Sequence, residues 1–293
     1  MTSALFAGLL LLFQGLSPQS ASPSAWQDVD RVFEQAGKDQ PGGVHRFSWP
    51  RTDLQVSIDG VLIEPPLALG SWAAFQKMGG DAEVMGDLVL TGGEVPAVLG
   101  ALQDGGFEIL AIHNHLNREM PRLLYVHYDG RGDAGKLART LKAALGRSAT
   151  PLSPPAAPPP KVSPDQEKRF ARVAEAVGRK GTLAGRVLQL AIPRPETIRD
   201  AGRDVSPAMG MATAINFQAA GDRVATTGDF VLIAEEVNPV MRELRAHGIE
   251  PMALHSHMLR ETPRLFFLHF WGVDTPENIG AGIRAALAKV AAK

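Results

Sequence analysis

Two kinds of hydrophobic periodicity alternate along the chain, and together they predict an α+β fold. Apolar positions at helical spacing occupy residues 28–36 and 166–177, whereas short apolar or alternating runs at 54–58 and 71–75 indicate strands. Residues 87–90 predict a buried strand, and the segment Thr91-Gly92-Gly93-Glu94 after it predicts a capping box that opens a helix reaching about Gln103. The first part of the chain therefore mixes short strands with amphipathic helices.

The next segment predicts a β-hairpin followed by a helix. Residues 107–115 and 122–128 are rich in branched and aromatic side chains and flank a short loop at 117–121. Asp133 is a suitable N-cap for a closing helix, in which Leu137, Leu141 and Leu145 share one face. The predicted order is β-α-β-β-α.

The chain contains an internal duplication at an offset of 142 residues. Between residues 86 and 130, 20 of the 45 positions are identical to those at 228–272, without a gap. The same offset places Gly43 over Gly185 upstream, and it places residues 143–145 over 285–287 downstream. We therefore expect two homologous tandem domains, each with a mixed or antiparallel sheet, at 26–146 and 165–293. Residues 147–164 contain seven Pro and predict an extended linker.

The N-terminal segment is typical of a signal peptide. Residues 4–13 form an unbroken apolar decamer, and a stretch of small and polar residues follows, although no Lys or Arg precedes the run. Ten residues cover roughly half of a hydrocarbon core about 30 Å thick, which disfavours a membrane-spanning helix. We expect residues 1–25 to be removed and the protein to be exported to the periplasm or the extracellular space.

Composition narrows the chemistry. The 293 residues carry 30 Lys and Arg against 31 Asp and Glu, so the chain lacks the basic excess of a nucleic-acid-binding protein. Neither a phosphate-binding glycine loop nor a Rossmann fingerprint is present, and nucleotide cofactors are not indicated. Because there is no Cys, any metal must be bound by nitrogen and oxygen ligands.

Six of the eight histidines form three pairs at the 142-residue offset. Each half contains a His-x-His motif on the first strand of the hairpin and a third His on the returning strand. Side chains at i and i+2 of a strand share a face, so each hairpin is predicted to present three imidazoles to a metal ion. The predicted ligands are His113, His115, His127, His255, His257 and His269. Zn, Cu, Mn and Fe all suit such a donor set, and the sequence does not decide among them.

Charged residues between the hairpin strands are repeated as well. Glu119 and Glu261 are candidates for a catalytic base or a further ligand. Two pairs of arginines form either a structural ion-pair loop or a positive rim that binds an anionic substrate, and the sequence favours neither interpretation. These are Arg118 and Arg122 in the first half and Arg260 and Arg264 in the second. Other carboxylates nearby have structural interpretations: Glu94 and Glu236 at helix starts, and Asp87 and Asp229 at strand entries.

The repeated pattern GD-φ-V-L, E-V-P-x-V or E-V-x-P-V, and H-x-H-φ-x-x-E-x-P-R-φ-x-φ-φ-H-φ resembles the LppY/LpqO family of exported bacterial proteins, a domain of unknown function. The resemblance covers both halves and implies a bacterial cell-envelope setting. It implies no mechanism. The named members of that family are lipoproteins, whereas this chain has no Cys to carry a lipid.

These observations predict an exported transition-metal-binding protein with duplicated histidine sites. An open coordination position would permit hydrolytic or oxidative catalysis. The alternatives are a non-catalytic envelope protein that buffers metal or binds a small molecule or polymer, and a purely structural role in which the histidines support the hairpins. The sequence leaves open the substrate, the oligomeric state, and whether the halves carry separate sites or one shared site.

Overall fold

The computed structural model describes residues 25–153 and 160–291. The expected signal segment lies almost entirely outside this range, as does part of the expected linker. Within the described chain, no helix has the length and hydropathy needed to cross a bilayer. The elements of the first half are α1 (Gln27–Phe33), β1 (Lys38–Gln40), β2 (Val44–Pro50), β3 (Ser57–Ile58), β4 (Val61–Leu62), α2 (Pro65–Ala68), β5 (Gly70–Met78), β6 (Asp81–Thr91), α3 (Val95–Asp104), β7 (Glu108–His113), β8 (Leu123–Gly132) and α4 (Ala134–Leu145).

The second half repeats this order with small differences. A short 3-10 helix, Pro207–Met209, takes the place of α2. The elements are α5 (Pro164–Val177), β9 (Thr182–Ala184), β10 (Val187–Pro193), β11 (Arg199–Asp200), β12 (Arg203–Asp204), β13 (Ala212–Ala220), β14 (Arg223–Leu232), α6 (Ala234–Ala246), β15 (Glu250–His255), β16 (Glu261–Thr262), β17 (Phe266–Asp274) and α7 (Pro276–Leu287).

Each half builds one six-stranded antiparallel sheet. The strand order is β1-β2-β5-β6-β8-β7 in the first half, and the second half has the equivalent order β9-β10-β13-β14-β17-β15. The hairpin strands that carry the histidines therefore lie at one edge of each sheet, with β7 and β15 outermost. The fold class predicted from the sequence is confirmed, including the β-α-β-β-α order and the N-cap Asp133. Thr275 is the N-cap of the equivalent helix α7.

The molecule has four layers, because each sheet is apolar on both faces. Alternate residues of β6 divide between two cores: Leu88 and Leu90 pack with the helices of their own half, whereas Met85 and Val89 face the other sheet. The second half divides in the same way, with Phe230 on the helix side and Val231 between the sheets. The order is therefore helices, sheet, sheet, helices, and the layer between the two sheets belongs to both halves.

Local details differ from the sequence-based expectations. Helix α1 ends at Phe33 rather than at residue 36, because Glu34 takes a left-handed conformation with φ of 56°. The predicted capping box is only half formed: Glu94 accepts a hydrogen bond from the Thr91 amide at 2.7 Å, and α3 begins at Val95. Strand β7 ends at His113, so His115 lies in the loop beyond it and not on the strand.

The ungapped offset also fails upstream. Strands β5 and β13 begin 142 residues apart, whereas Val44 at the start of β2 corresponds to Val187 at the start of β10, which is an offset of 143. The connection between β2 and β5 is therefore one residue longer than the equivalent connection between β10 and β13. The apparent match of Gly43 with Gly185 is out of register by one position.

A buried arginine joins the sheet to the helix start in each half. Arg51 has no solvent exposure, donates to the Val89 carbonyl at 2.7 Å and pairs with Asp53 and Glu94. Arg194 makes the equivalent contacts in the second half, with the Val231 carbonyl and with Glu196 and Glu236. These contacts give Glu94 and Glu236 a structural role. The arginines lie where the inserted residue disturbs the offset, so comparing the halves at a fixed offset did not pair them.

Gly228 allows a close approach of strands β13 and β14 beside the histidine region. A Cβ at this position would overlap the Ala214 carbonyl and the Ile215 Cα, both of which are backbone atoms that no side-chain rotation relieves. We expect Gly228→Ala to lower the free energy of unfolding by about 1 to 3 kcal/mol, as overpacking does. Denaturant unfolding of the purified protein measures this change.

Gly100→Ala is the matched control. Gly100 lies in α3, and a Cβ there meets no atom within 4 Å. Alanine should raise the stability of this helix by up to about 1 kcal/mol. Equal destabilisation by both substitutions would contradict the assignment.

Candidate metal centre

The six repeated histidines meet at a single place, in the layer between the two sheets. His127 on β8 lies opposite Asp87 on β6, and His113 at the end of β7 lies opposite Tyr125. His269 and Asp229 repeat the first of these pairings in the second half. We call the six residues His113, His115, His127, His255, His257 and His269 the histidine cluster.

The rings of the cluster interleave across the two halves. His113 stacks on His255, its counterpart in the duplication, with ring centroids 3.7 Å apart. His115 stacks on His269, and His127 stacks on His257, also at 3.7 Å in each case. Each half thus supplies one partner to every stacked pair, so the cluster has an approximate twofold arrangement. The three rings from each hairpin therefore lie in one common region between the halves, and not in two distant places.

Most ring nitrogens in the cluster are buried and have no hydrogen-bond partner. Both nitrogens of His113 and both of His255 are in this state. The Nε2 atoms of the other four rings are also buried without a partner. Buried polar groups in folded proteins are nearly always paired, and each unpaired group costs about 1 to 3 kcal/mol. Eight such atoms in one place form a set of nitrogen donors that could hold a metal ion.

Two rings are held with one nitrogen directed away from the backbone. His269 Nδ1 donates to the Gly228 carbonyl at 2.8 Å, and its Nε2 has no partner. His127 hydrogen-bonds the backbone of Gly86, the equivalent residue of the first half. A backbone carbonyl on one ring nitrogen fixes the tautomer and leaves the other nitrogen's lone pair available, as is usual for metal-bound histidine.

Two buried carboxylates adjoin the cluster. Asp87 lies 3.7 Å from His115 Nε2 and 3.9 Å from His127 Nε2. Asp229 lies 3.2 Å from His257 Nε2 and 3.9 Å from His269 Nδ1. The three longer separations exceed hydrogen-bonding distance, and one oxygen of each carboxylate is buried without a partner.

The electrostatics of the site disfavour positive charge on the rings and negative charge on the carboxylates. Burial, reinforced by repulsion from neighbouring histidines, lowers the pKa of His113 to about 2. The pKa values of the other five rings are lowered for the same main reason. Burial raises the pKa of Asp87 to about 8, with a further contribution from the charge of Asp229, whose own pKa rises to about 6 on burial. The isolated polypeptide therefore presents neutral imidazoles, the form that binds metals.

Two overlapping sets of histidines have the spacing of metal ligands. His113, His115 and His127 form one set, and His113 joins His255, His257 and His269 in the other. Within each set, one nitrogen from every ring lies within 4.8 Å of the others. The fold thus brings together the candidate metal ligands named from the sequence. They adjoin Asp87 and Asp229, for which the sequence had suggested a structural role at the strand entries.

Glu119 lies in the hairpin connection of the first half, Glu261 begins the short strand β16 in the equivalent connection, and neither belongs to a histidine set. The Oε1 atom of Glu119 accepts the Leu123 amide at 3.1 Å, and Glu261 accepts the Leu265 amide at 3.0 Å. Both carboxylates are buried, and burial raises the pKa of Glu119. Glu261 also pairs with Arg264. These contacts fix the conformation of the loops that carry the second histidine of each motif.

Two of the candidate substrate-binding arginines join the halves reciprocally. Arg118 pairs with Glu250 of the second half and with Asp59 of its own half. Arg260 pairs with Glu108, which corresponds to Glu250 in the duplication. Arg122 donates to the Asn117 carbonyl, and Arg264 donates to the Met258 carbonyl. The observed contacts favour the ion-pair interpretation for the first two arginines.

A second group of acidic side chains lies in the region where the halves meet. Glu83, Asp129 and Asp200 are buried and close enough to share a cation. Arg131 already lies among them, 2.6 to 3.0 Å from one oxygen of each. This guanidinium neutralises part of the charge and occupies the position that a metal would take.

Two cavities differ greatly in their access to the cluster. The one in contact with it, beside His127 and His257, has a volume of about 10 Å³, which is close to that needed for one water molecule. Met85, Met209 and Met211 also line it. A much larger groove of about 690 Å³ lies elsewhere between the halves, and its lining includes Arg118.

The fold and the cluster define a class of two-domain α+β proteins with a histidine centre between the domains. The chain belongs to the family described as Domain of Unknown Function (DUF1259), which matches residues 27–147 and again residues 171–289. The tandem copies expected from the sequence are thus confirmed. The family name expected from the repeated motif is not among these matches.

The other comparisons add little. No curated protein matches the chain. One solved structure, described as the crystal structure of a trimeric bacterial microcompartment shell protein PduB, is similar at 10% identity and a TM-score of 0.22. The similarity spans 87% of this chain and 90% of that one.

The metal-free protein should become less stable as the pH falls through about 6.5, the pKa of histidine in an unfolded chain. Because the folded pKa of every cluster ring is lowered, the unfolded chain takes up more protons in this range, and the free energy of unfolding decreases. Carboxyl groups with a raised pKa change the stability in the opposite direction. Among the described residues these are Asp87, Glu119, Asp129 and Asp229, and the six histidines outnumber them.

Chemical denaturation of chelator-treated protein between pH 5 and 7.5 measures this dependence. Replacing the six histidines with Gln should abolish this decrease or reverse it, because the carboxyl groups with raised pKa remain. A stability that is constant or rises toward pH 5 in the unsubstituted protein would show that the rings are not buried in the neutral state.

Proposed function

We propose that this protein binds a transition metal at the histidine cluster. The observation that carries the proposal is the set of eight buried ring nitrogens without hydrogen-bond partners, contributed by all six histidines. Neutral imidazole is the commonest nitrogen ligand for transition metals in proteins, and two carboxylates adjoin the rings. Zn, Cu, Mn and Fe remain the candidate ions, since all of them accept nitrogen and oxygen donors.

A purely structural role explains the cluster less well. If the rings only supported the hairpins, each unpaired nitrogen would cost about 1 to 3 kcal/mol, and apolar side chains would fill the same space without that cost. The neighbouring layer is indeed filled by apolar residues such as Val89 and Val231. Six imidazoles at corresponding positions in both halves are better explained by an ion that binds them.

Any catalysis at the centre would be limited by access. The adjoining cavity holds about one water molecule, so a hydrolytic or oxidative reaction there would use reactants of about that size. In this proposal the metal would polarise or activate the small reactant, and Glu119 and Glu261 would act by holding the hairpin loops. A non-catalytic role in metal buffering accords equally with the closed site.

The cellular setting is part of the proposal. The apolar decamer at residues 4–13 and the small-residue stretch after it support export to the periplasm or the extracellular space. The repeated motif supports a relationship with the LppY/LpqO proteins and hence a role in the bacterial envelope.

A second candidate function is the binding of a polar ligand in the larger groove. Its lining combines Trp271 and Gln218 with charged side chains, among them Arg118 and Glu250. Because Arg118 is already paired with two carboxylates, the groove suits a neutral ligand such as a saccharide better than an anion. Titration with the disaccharide of N-acetylglucosamine, followed by tryptophan fluorescence in the unsubstituted and Trp271→Phe proteins, tests this; no change in either protein contradicts it.

Elemental analysis of protein purified without an affinity tag tests the metal proposal directly. We expect a transition metal to co-purify, and the variant His113→Ala/His115→Ala to lose at least half of it, because two ligands are removed together. Chelator-treated protein should recover the metal on titration, with a rise in melting temperature because ligands bound to the folded state stabilise it.

His247→Gln is the matched control. His247 lies outside the cluster, where its Nδ1 hydrogen-bonds the Glu243 carbonyl. Its replacement should leave the metal content unchanged. Absence of metal at every stage, or equal loss in both variants, would contradict the proposal.

A further inference from the structure

We propose that the centre holds two metal ions, one for each half, and that Asp87 and Asp229 are ligands. This inference rests on the proposed function and adds the number of ions and the ligands that divide the cluster. The first ion takes His113, His115, His127 and Asp87. The second takes His255, His257, His269 and Asp229.

The number of donors exceeds what one ion binds. Six imidazoles and two carboxylates meet at this place, whereas protein-bound Zn²⁺ takes four ligands and other transition metals of this series take up to about six. A single ion would leave at least two donors buried and unpaired. Two ions with three histidines and one aspartate each use all eight groups.

The distances between donors fit ligands of a common ion. With metal–ligand bonds of about 2.0 to 2.1 Å, the ligands of a tetrahedral site are about 3.3 Å apart. Asp229 lies 3.2 Å from His257 Nε2, and Asp87 lies 3.7 Å from His115 Nε2. Asp87 is also 3.9 Å from His127 Nε2, so one carboxylate borders two rings of its own half.

A cation beside each carboxylate would allow both of these buried groups to be ionised. Among the described residues, neither Asp87 nor Asp229 forms an ion pair with Lys or Arg; each has only histidines within salt-bridge distance. The two buried carboxylates repel each other. Arg46 attracts Asp87 from beyond ion-pair distance, and no such cation in the described part of the chain acts on Asp229. One divalent ion bound in one half would leave the other carboxylate without a cation in direct contact, whereas one ion beside each carboxylate would contact both.

His113 links the two sets. Both of its nitrogens are buried without a partner, and it belongs to both groups of rings with metal-ligand spacing. It stacks on His255, whose two nitrogens are also unpartnered. The two ions are therefore neighbours, and His113 has a second nitrogen within reach of the ligands of the second ion.

Titration of chelator-treated protein with Co²⁺, followed by visible absorption and elemental analysis, tests the inference. We expect two equivalents in the unsubstituted protein. Asp87→Asn and Asp229→Asn should each retain one tightly bound equivalent and weaken the other by more than about 10-fold, because an amide is a neutral and poorer ligand. Asp222→Asn, an exposed aspartate at the β13–β14 turn, is the matched control and should keep two equivalents.

The outcomes separate the two proposals. A single equivalent in the unsubstituted protein overturns the two-ion inference and leaves the proposed function intact. Two equivalents that neither Asn variant changes overturn the assignment of the aspartates as ligands. Absence of Co²⁺ binding contradicts the proposed function itself. Because the unsubstituted protein alone distinguishes one ion from two, a variant that fails to fold does not remove the test.

Discussion

The structure depends on one unusual constraint: two sheets close over imidazole nitrogens that the polypeptide itself leaves unpaired. Most layers between packed sheets are apolar, and so is most of this one. At its centre, however, the rings of six histidines stack in three pairs across the halves at 3.7 Å. Desolvation keeps these rings neutral, so burial itself prepares them to act as ligands.

Duplication explains how such a centre can form from one repeated motif. Equivalent surfaces meet face to face, so each contact from one half to the other recurs with the roles exchanged. Arg118 with Glu250 and Arg260 with Glu108 show this at the rim, and the stacked histidine pairs show it at the centre. The two halves are thus arranged like the subunits of a symmetric dimer.

The symmetry is incomplete where the surroundings have diverged. The small cavity beside His127 and His257 is lined by Met209 and Met211, whose counterparts at the 142-residue offset are Leu67 and Leu69. On the outer flank, Asp129 belongs to a buried ion-pair network, whereas its counterpart Trp271 lines an open groove. The centre is therefore conserved between the halves more closely than the regions around it, which accords with a shared function at the centre.

The sequence by itself determined the α+β class, the tandem copies, the cap at Asp133, and which six histidines recur in both halves, because these follow from periodicity and repetition along the chain. It did not determine that both hairpins face one layer, since the packing of sheet on sheet depends on contacts between residues more than 100 positions apart. Asp87 illustrates the difference. Alternation along β6 directs Asp87 to one face of the sheet and Leu88 to the other. Only the packing of the second sheet turns the face of Asp87 into an interior that contains histidines. Likewise, the arginines appeared equally suited to substrate or ion pairs until the fold brought Glu250 to Arg118, because the partner of a charge is decided by tertiary structure and not by its neighbours in sequence.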